Sequence, residues 1–309
     1  MAHSLAVGRA AFRQRAAILA DSRADLLSGL AALAADGPPR GPSRPGPTAF
    51  AFSGQGSQRP GMGRGLYEAF PVFAAAMDEI AEYFDMPVRD AMSDGAADLL
   101  ADTSFTQPAL FAFQIALFRL LESCGLRPDL LIGHSIGEVA AAHAAGVLSL
   151  PDAAALVSAR GRLMQAARGD GAMFAVQAAE DEVRPLLTEG VDIAAVNAPS
   201  ATVVSGTAAA AERIAARLAE RGRRTRRLDV RRAFHSPHMD AVLDEFRAVA
   251  EGLSYAAPTI PIAAATRRSC ATPLTGRGTS ASPSGSWTAS ARSPTGASSG
   301  TWSWRPSRC

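Results

Sequence analysis

The chain has 309 residues, and its 31 basic and 29 acidic side chains leave a net charge of only +2, which gives no sign of nucleic-acid binding. Apolar residues make up 48% and charged residues 19%, proportions that exclude a disordered chain and are typical of a globular protein with a core. No apolar run reaches the roughly 18–20 residues of a membrane span. The first residues lack the apolar core of a signal peptide, so we expect a cytoplasmic protein without a membrane partner.

The N-terminal residues 1–45 predict a separate segment that contains one helix. Ser22 stands before "RADLLSGLAALAAD" and predicts an N-cap, with an apolar stripe behind it. The following "GPPRGPSRPGPT" is a proline- and glycine-rich linker, which places a boundary near residue 45.

Residues 46–171 predict an α/β block. A short apolar strand, "AFAF", runs into the glycine-rich loop "SGQGSQ", and a second strand leads into "GHSIG" at residues 133–137. This G-x-S-x-G pattern is typical of a nucleophile elbow, a sharp strand-to-helix turn that exposes the hydroxyl of Ser135. The alternative is a glycine-rich helix start that carries no chemistry.

A change of periodicity marks residues 172–232 as a second unit. Strand-like and helical segments alternate there in the order βαββαβ, which predicts a ferredoxin-like subdomain. Residues 233–262 then return to the first block. We therefore predict an α/β protein with an α/β-hydrolase-like large subdomain that has a parallel sheet and carries an inserted ferredoxin-like small subdomain.

A nucleophilic serine needs a general base, and histidine is the usual one. The chain has five histidines: His3, His134, His143, His235 and His238. His235 is the candidate base because "AFHSPHMD" lies where the small subdomain rejoins the large one, and clefts form at such junctions. The alternative is a surface histidine. His143 falls inside the helix after the elbow and is expected to be structural.

The loop "SGQGSQ" is the candidate oxyanion hole, since its glycines let backbone N–H groups approach a bound oxygen. It has neither of the glycine-rich phosphate-binding patterns, which excludes a nucleotide site. Three cysteines without zinc spacing, and a His134–Glu138 pair without a third ligand, predict no metal site.

Arg160 is the most informative charged residue. In the helix "PDAAALVSARGRLMQAA" it falls on the same stripe as Leu156 and Leu163, whereas Arg162 does not. An arginine on a buried face must meet an anion. That anion is either an internal carboxylate or the carboxylate of a substrate, which the planar guanidinium can hold with two hydrogen bonds.

The run "RGRRTRRLDVRR" at residues 221–232 is the most basic part of the chain. Leu228 and Val230 alternate with charged residues as in a half-exposed edge strand, which favours a solvated face over a nucleic-acid site.

Taken together and in this order, "GQGSQ", "GHSIGE", "ARGRLM" and "AFHSPHMD" resemble the acyltransferase domains of type I modular polyketide synthases and the discrete malonyl-CoA:acyl-carrier-protein transacylases. The resemblance covers roughly residues 48–262. The N-terminal segment is similar to the linker that joins a ketosynthase to an acyltransferase in such synthases.

The resemblance implies a role for each site residue. Ser135 would be the nucleophile and His235 its base, and the backbone N–H groups of Gln55 and Ile136 would form the oxyanion hole. Arg160 would hold the free carboxylate of an extender unit delivered by an acyl-CoA. The acyl group would pass through an acyl-serine to the phosphopantetheine thiol of an acyl carrier protein, with no cofactor on the enzyme itself.

The same resemblance favours malonyl as the extender unit. "GHSIG" together with A-F-H accompanies malonyl in this family, although Arg232 replaces the histidine that usually precedes A-F-H. Phe234 beside the base would oppose an α-methyl group, and His134 beside the nucleophile is also expected at the substrate site.

Two other interpretations remain open at this stage. A patatin-like serine hydrolase would pair G-x-S-x-G with "DGA" at residues 170–172, but it leaves Arg160 and "AFHS" unexplained. The second is an inactive, frameshifted relic. Residues 263–309 contain no acidic residue and only one large aliphatic residue, Leu274, so we expect an aberrant, disordered tail.

Overall fold

The computed structural model describes residues 16–37, 46–167, 169–230 and 232–263, together with the backbone of two strands at 281–289 and 302–308. The chain divides into two units, Met1–Pro47 and Thr48–Cys309. The first unit contains helix α1, Arg23–Asp36, which Ser22 caps by accepting a hydrogen bond of 3.1 Å from the backbone N–H of Asp25. This is the helix that the sequence predicts.

The second unit contains helices and strands that form three sheets among the described residues. Its helices are α2 Arg64–Ala69, α3 Pro71–Ala81, α4 Ala97–Leu100, α5 Thr103–Ser123, α6 Ile136–Ala144, α7 Leu150–Ala166, α8 Glu180–Val183, α9 Ala208–Glu220 and α10 Leu243–Glu251, with 3-10 turns at Val88–Met92, Arg184–Leu186 and Pro237–Val242. Its strands are β1 Ala49–Phe52, β2 Leu130–Gly133, β3 Gly171–Val176, β4 Val191–Ala198, β5 Ala201–Thr207, β6 Thr225–Arg227, β7 Ile262–Ala263, β8 Ala281–Ala289 and β9 Trp302–Arg308.

The large subdomain is built on a parallel sheet of order β1-β2-β7, in which Phe52 pairs with Gly133 and Leu131 with Ile262. Successive side chains along a strand point to opposite faces of the sheet. The face that carries Phe52 and Leu131 is apolar and is buried, whereas the residues between them face the other way. The parallel sheet confirms the predicted fold class. Strands β1 and β2, which lead into the loop "SGQGSQ" and into the turn at Ser135, end at the same edge of this sheet.

Helix α5 is the central helix of the large subdomain. It begins at Thr103 after Asp102, whose carboxylate accepts a 2.8 Å bond from the N–H of Ser104. Its length and composition would suit a membrane span, but 72% of its apolar 18-residue stretch is buried inside the protein, as expected for a core helix. Because α5 is largely buried, each buried polar side chain on it is expected to have a hydrogen-bond partner.

The small subdomain is an antiparallel sheet of order β4-β5-β3-β6 with the chain order β3-α8-β4-β5-α9-β6. Both the βαββαβ sequence of elements and this strand order are those of a ferredoxin-like unit. Helix α9 packs its apolar stripe, which includes Ile214 and Leu218, against the sheet at Val204. The inserted subdomain of the predicted fold class is therefore confirmed.

Within the expected aberrant tail, β8 and β9 pair as a two-stranded antiparallel sheet. The sequence analysis predicts no strand there. The two strands contain tryptophans, which favour extended backbone, among serine, glycine and proline residues, which gave no strand pattern in the sequence. The expectation of disorder for the rest of residues 264–309 lies outside the described residues.

Candidate active site

The turn at Ser135 has the strained geometry of an elbow. Ser135 has φ 55° and ψ −116° and forms the N-cap position of α6 directly after β2. A side chain at Gly133 would collide with the backbone of Gly137, and one at Gly137 would collide with the carbonyl of Phe52. Both glycines are required because β1, β2 and α6 approach one another without room for a Cβ atom. The turn therefore projects the hydroxyl away from the sheet.

Ser135 and His235, which are 100 positions apart, meet at this point. Oγ of Ser135 lies 3.2 Å from Nε2 of His235. Burial, with further contributions from Arg160 and His134, lowers the pKa of His235 to about 3, so the imidazole is neutral at ordinary pH. A neutral Nε2 facing a hydroxyl can accept its proton, which is what a general base requires.

Arg160 reaches the same hydroxyl from α7. Its Nη2 donates to Oγ of Ser135 at 3.0 Å and its Nη1 donates to Oε1 of Gln107 at 2.5 Å. The residue is only 3% exposed, and burial lowers its pKa to about 10, so it is still charged at neutral pH. Among the described residues no carboxylate is hydrogen-bonded to it, which leaves a buried cation held by neutral groups alone.

Glu138, in the first turn of α6, is the carboxylate that acts on Arg160 electrostatically. Burial raises its pKa to about 7, and Arg160 opposes that rise. Glu138 is therefore only partly ionised near neutral pH and is an incomplete counter-charge for the guanidinium.

The two residues expected to form the oxyanion hole lie at the edge where β1 and β2 end. Ile136 is the first residue of α6, and its N–H is one of the donors that a helix start leaves without an intrahelical partner. Gln55 follows β1 and lines the same cavity as Ser135. Neither N–H donates to a protein acceptor among the described residues. Their role is a prediction, which this geometry permits.

Three polar residues of α5 at this site were missed by the sequence analysis. Gln107 is fully buried and contacts Arg160, Thr103 is 1% exposed and donates to Gln55, and Gln114 donates to Ser53. Their spacings of four and seven residues put them on one face of an otherwise apolar helix. This polar stripe on an apolar helix is visible in the sequence and could have indicated these site residues, but it was interpreted only as part of a helix.

A cavity of about 600 Å³ opens beside Ser135 and His235, between the large and small subdomains. It brings together most of the predicted site residues. Its walls include Gln55, Thr103, His134, Ser135, Met164, Met173, Val203, Phe234 and His235. Phe234 is buried and lies next to the base, and His134 lines the cavity beside the nucleophile, with a pKa that partial burial and Arg160 lower.

His143 lies away from the reacting groups. It contacts the carbonyl of Leu148 at 3.0 Å, in keeping with a structural role.

The basic run at residues 221–232 divides between two environments. Arg223 pairs with Glu182 and Arg227 with Glu212 on the exposed surface, which agrees with a solvated face. The end of the run instead contributes to the wall of the cavity, through Leu228, Val230 and Arg232.

The family model described as the acyl transferase domain matches residues 49–303. The chain belongs to the acyl transferase domain family. A second model, described as the RhiE-like KS-MAT linker domain, matches residues 1–37. The acyl transferase domain thus follows a linker of the kind that the sequence resemblance indicated.

Relatives and solved structures agree with this assignment. Over 275 residues the chain is 52% identical to the spectinabilin polyketide synthase system protein NorB of Streptomyces orinoci, and the match covers 84% of this chain but 13% of that protein. The acyltransferase domain from the second module of the salinomycin polyketide synthase is 56% identical, with a TM-score of 0.76, covering 81% of this chain and 62% of that one. The malonyl-CoA:acyl carrier protein transacylase of Xanthomonas oryzae is 40% identical, with a TM-score of 0.66 and coverages of 70% and 72%.

Proposed function

We propose that the domain transfers a malonyl-type acyl group from coenzyme A to the phosphopantetheine thiol of an acyl carrier protein through an ester on Ser135. The observation that carries the proposal is the buried guanidinium of Arg160, 3.0 Å from Oγ of Ser135, with only neutral hydrogen-bond partners among the described residues. A buried cation whose counter-charge is incomplete is costly, so a site that maintains one is suited to an anionic ligand.

The transfer consists of two displacements at one carbonyl carbon. Oγ of Ser135 attacks the thioester, and its proton passes to Nε2 of His235. The N–H groups of Gln55 and Ile136 stabilise the negative oxygen, the C–S bond breaks, and the departing thiolate takes the proton from His235. The pantetheine thiol then repeats the sequence in the opposite direction and releases Ser135.

Arg160 would select acyl groups that end in a carboxylate. Its Nη2 contacts Oγ of Ser135, which lines the cavity, so the guanidinium would exchange this contact for a two-point contact with the free carboxylate of malonyl. Phe234 is buried and lines the cavity with His235, so its ring would oppose an α-methyl group and favours malonyl over branched extender units.

The partners follow from this chemistry and from the family. Acyl-CoA is the donor, the acyl carrier protein is the acceptor, and the linker at residues 1–37 suggests a ketosynthase and further synthase domains as neighbours. The proposed location is the cytoplasm. No cofactor, metal or nucleic acid is required for the steps proposed.

Mass spectrometry of the intact chain after incubation with malonyl-CoA tests the proposal. We expect a malonyl adduct on Ser135 that persists until a pantetheine thiol is added and then moves to it. Release of free malonate without an acceptor would instead indicate a hydrolase. No adduct on a folded chain would contradict the proposal.

A second candidate, an inactive and frameshifted form of the domain, is favoured by a different observation. Leu130 and Ile132 of the central strand β2 are 36% and 38% exposed among the described residues, although strands of parallel sheets are normally covered on both faces. Sequencing of the gene around the codon for Ala263, and protease resistance of this chain against a frame-restored one, test it. Equal resistance and equal activity would exclude it.

A further inference from the structure

One face of helix α5 carries hydrogen bonds to two different parts of the site. Thr103 Oγ1 donates to Oε1 of Gln55 at 2.7 Å, and Nε2 of Gln107 donates to Thr103 Oγ1 at 3.1 Å. Oε1 of Gln107 accepts from Arg160. A continuous chain of hydrogen bonds therefore runs from the arginine to the loop after β1.

The direction of every bond in this chain is fixed by the arginine. A guanidinium can only donate, so the amide oxygen of Gln107 must accept and its nitrogen must face Thr103. The hydroxyl of Thr103 then accepts from Gln107 and has one proton left, which goes to Gln55. Gln107 is fully buried and Thr103 is 1% exposed, so loss of either hydrogen-bond partner leaves a buried polar group unsatisfied, which is costly.

The same helix face holds the loop at a second point. Nε2 of Gln114 donates to the carbonyl of Ser53 at 2.7 Å and to its hydroxyl at 3.1 Å. The loop that contains Gln55 is thus attached to α5 at both Ser53 and Gln55. A rigid helix interior is a better support for a site than the loop itself.

We propose that Thr103 and Gln107 are positioning residues through which α5 sets both the carboxylate-binding arginine and the oxyanion loop. The proposal rests on the proposed function for its substrate. It assigns separate effects to the two residues, because Gln107 touches Arg160 directly and Thr103 touches Gln55 directly. Loss of Gln107 should weaken carboxylate recognition, and loss of Thr103 should weaken attack by Ser135 on any acyl group.

Two readouts separate these effects without requiring acyl transfer. A neutral fluorophosphonate reacts with an activated serine, forming a P–O bond and releasing fluoride, so its rate on Ser135 reports the base and the oxyanion hole. Free malonate bound at Arg160 should slow that reaction, so the degree of slowing measures carboxylate binding by Arg160. The variants are Thr103→Val, which keeps the shape and removes the hydroxyl, Thr103→Ser, which restores it, and Gln107→Glu, which places a resident carboxylate against Arg160.

We expect Thr103→Val to label roughly tenfold more slowly, the size of effect that one lost buried hydrogen bond produces, and Thr103→Ser to recover most of the rate. Gln107→Glu should lose protection by malonate, because its carboxylate occupies Arg160. It can no longer donate to Thr103, so its labelling should also fall, but by no more than in Thr103→Val, which should keep the protection. The surface variant Arg162→Ala, whose side chain pairs with Glu245, should match wild type in both readouts.

Parallel loss of labelling and protection in both Thr103→Val and Gln107→Glu would overturn the proposal, since it would show a general structural role. Unchanged labelling in Thr103→Val would overturn it as well, and so would a wild-type chain whose Ser135 does not react. Normal labelling and malonate protection in a wild-type chain that forms no malonyl adduct from malonyl-CoA would refute the proposed function and leave the positioning roles to be decided by the variants.

Discussion

Arg160 donates a 3.0 Å hydrogen bond to Oγ of Ser135, although α7 and the elbow are separate elements that lie 25 residues apart in the chain. As a donor it leaves the hydroxyl proton free to point at Nε2 of His235, 3.2 Å away. The arginine thus contacts the nucleophile directly, and under the proposed function it would move from this contact to a substrate carboxylate.

Replacing Arg160 by alanine should reduce acylation by malonyl-CoA far more than acylation by acetyl-CoA. The lost charged contact is worth about 2–4 kcal/mol, which is roughly a 30- to 900-fold fall in kcat/KM for malonyl-CoA. Acetyl-CoA has no carboxylate and should lose only the smaller effect of the bond to Ser135.

Arg162→Ala is the matched control, since Arg162 is exposed on the same helix and pairs with Glu245. Steady-state kinetics with both acyl-CoA donors measure the difference. Equal losses for the two donors in Arg160→Ala would show that the arginine serves the fold or the nucleophile and not the carboxylate.

Removal of the base should abolish acylation of Ser135 while leaving the chain folded. His235→Ala deletes the group that accepts the proton, whereas His143→Ala and His238→Ala change histidines that do not contact Ser135 and should keep much of the activity. His238 is buried, and its Nδ1 lies 3.6 Å from Asp170, so that variant is expected to be less stable. Adduct formation and circular dichroism are measured together; an inactive but folded His238→Ala would reassign the base.

The reactivity of Ser135 should persist to acid pH. Because the pKa of His235 is lowered to about 3, its neutral, proton-accepting form predominates at both pH 7.5 and pH 5.5. A histidine with the ordinary value of 6.5 would lose about tenfold in its neutral fraction over that interval. We expect fluorophosphonate labelling to change by less than about threefold. A tenfold fall, with the fold intact by circular dichroism, would contradict this assignment.

Carboxylate binding should strengthen as the pH falls from 8 to 6. Glu138 has a pKa raised to about 7 and acts on Arg160, so its protonation removes the anion that competes with a substrate carboxylate, which itself stays ionised because ordinary carboxyl groups titrate near pH 4. Protection of Ser135 by monomethyl malonate, which carries a single carboxylate, measures this. Glu138→Gln should remove the pH dependence; a variant that retains it would exclude Glu138 as the cause.

Enlarging the cavity at Phe234 should relax discrimination against a branched extender unit. Phe234→Ala removes a buried ring that lines the cavity beside His235. The ratio of methylmalonyl-CoA to malonyl-CoA acylation should rise by about tenfold, the lower end of what one methyl-sized group contributes to selectivity. Competition between the two donors, read by mass spectrometry, measures it. An unchanged ratio would place the selectivity elsewhere in the cavity.

The sequence determined the features that depend on local spacing. The two glycines around Ser135 predicted the elbow, the βαββαβ order predicted the inserted subdomain, and the stripe containing Arg160 predicted a buried cation. Each is a consequence of backbone sterics or helical periodicity, which act over a few residues and are visible in one sequence.

Only the tertiary structure decided which distant groups meet. The packing of α5, α7 and the returning segment around the parallel sheet places His235, rather than another described histidine, 3.2 Å from Ser135. The same packing gives Arg160 a hydrogen bond to Gln107 and, within the described part of the chain, none to a carboxylate. The polar stripe of α5 was present in the sequence. The role of this stripe became evident only when its hydrogen-bond partners were known. Those partners, Gln55 and Arg160, lie far apart in the sequence, so no local pattern could reveal them.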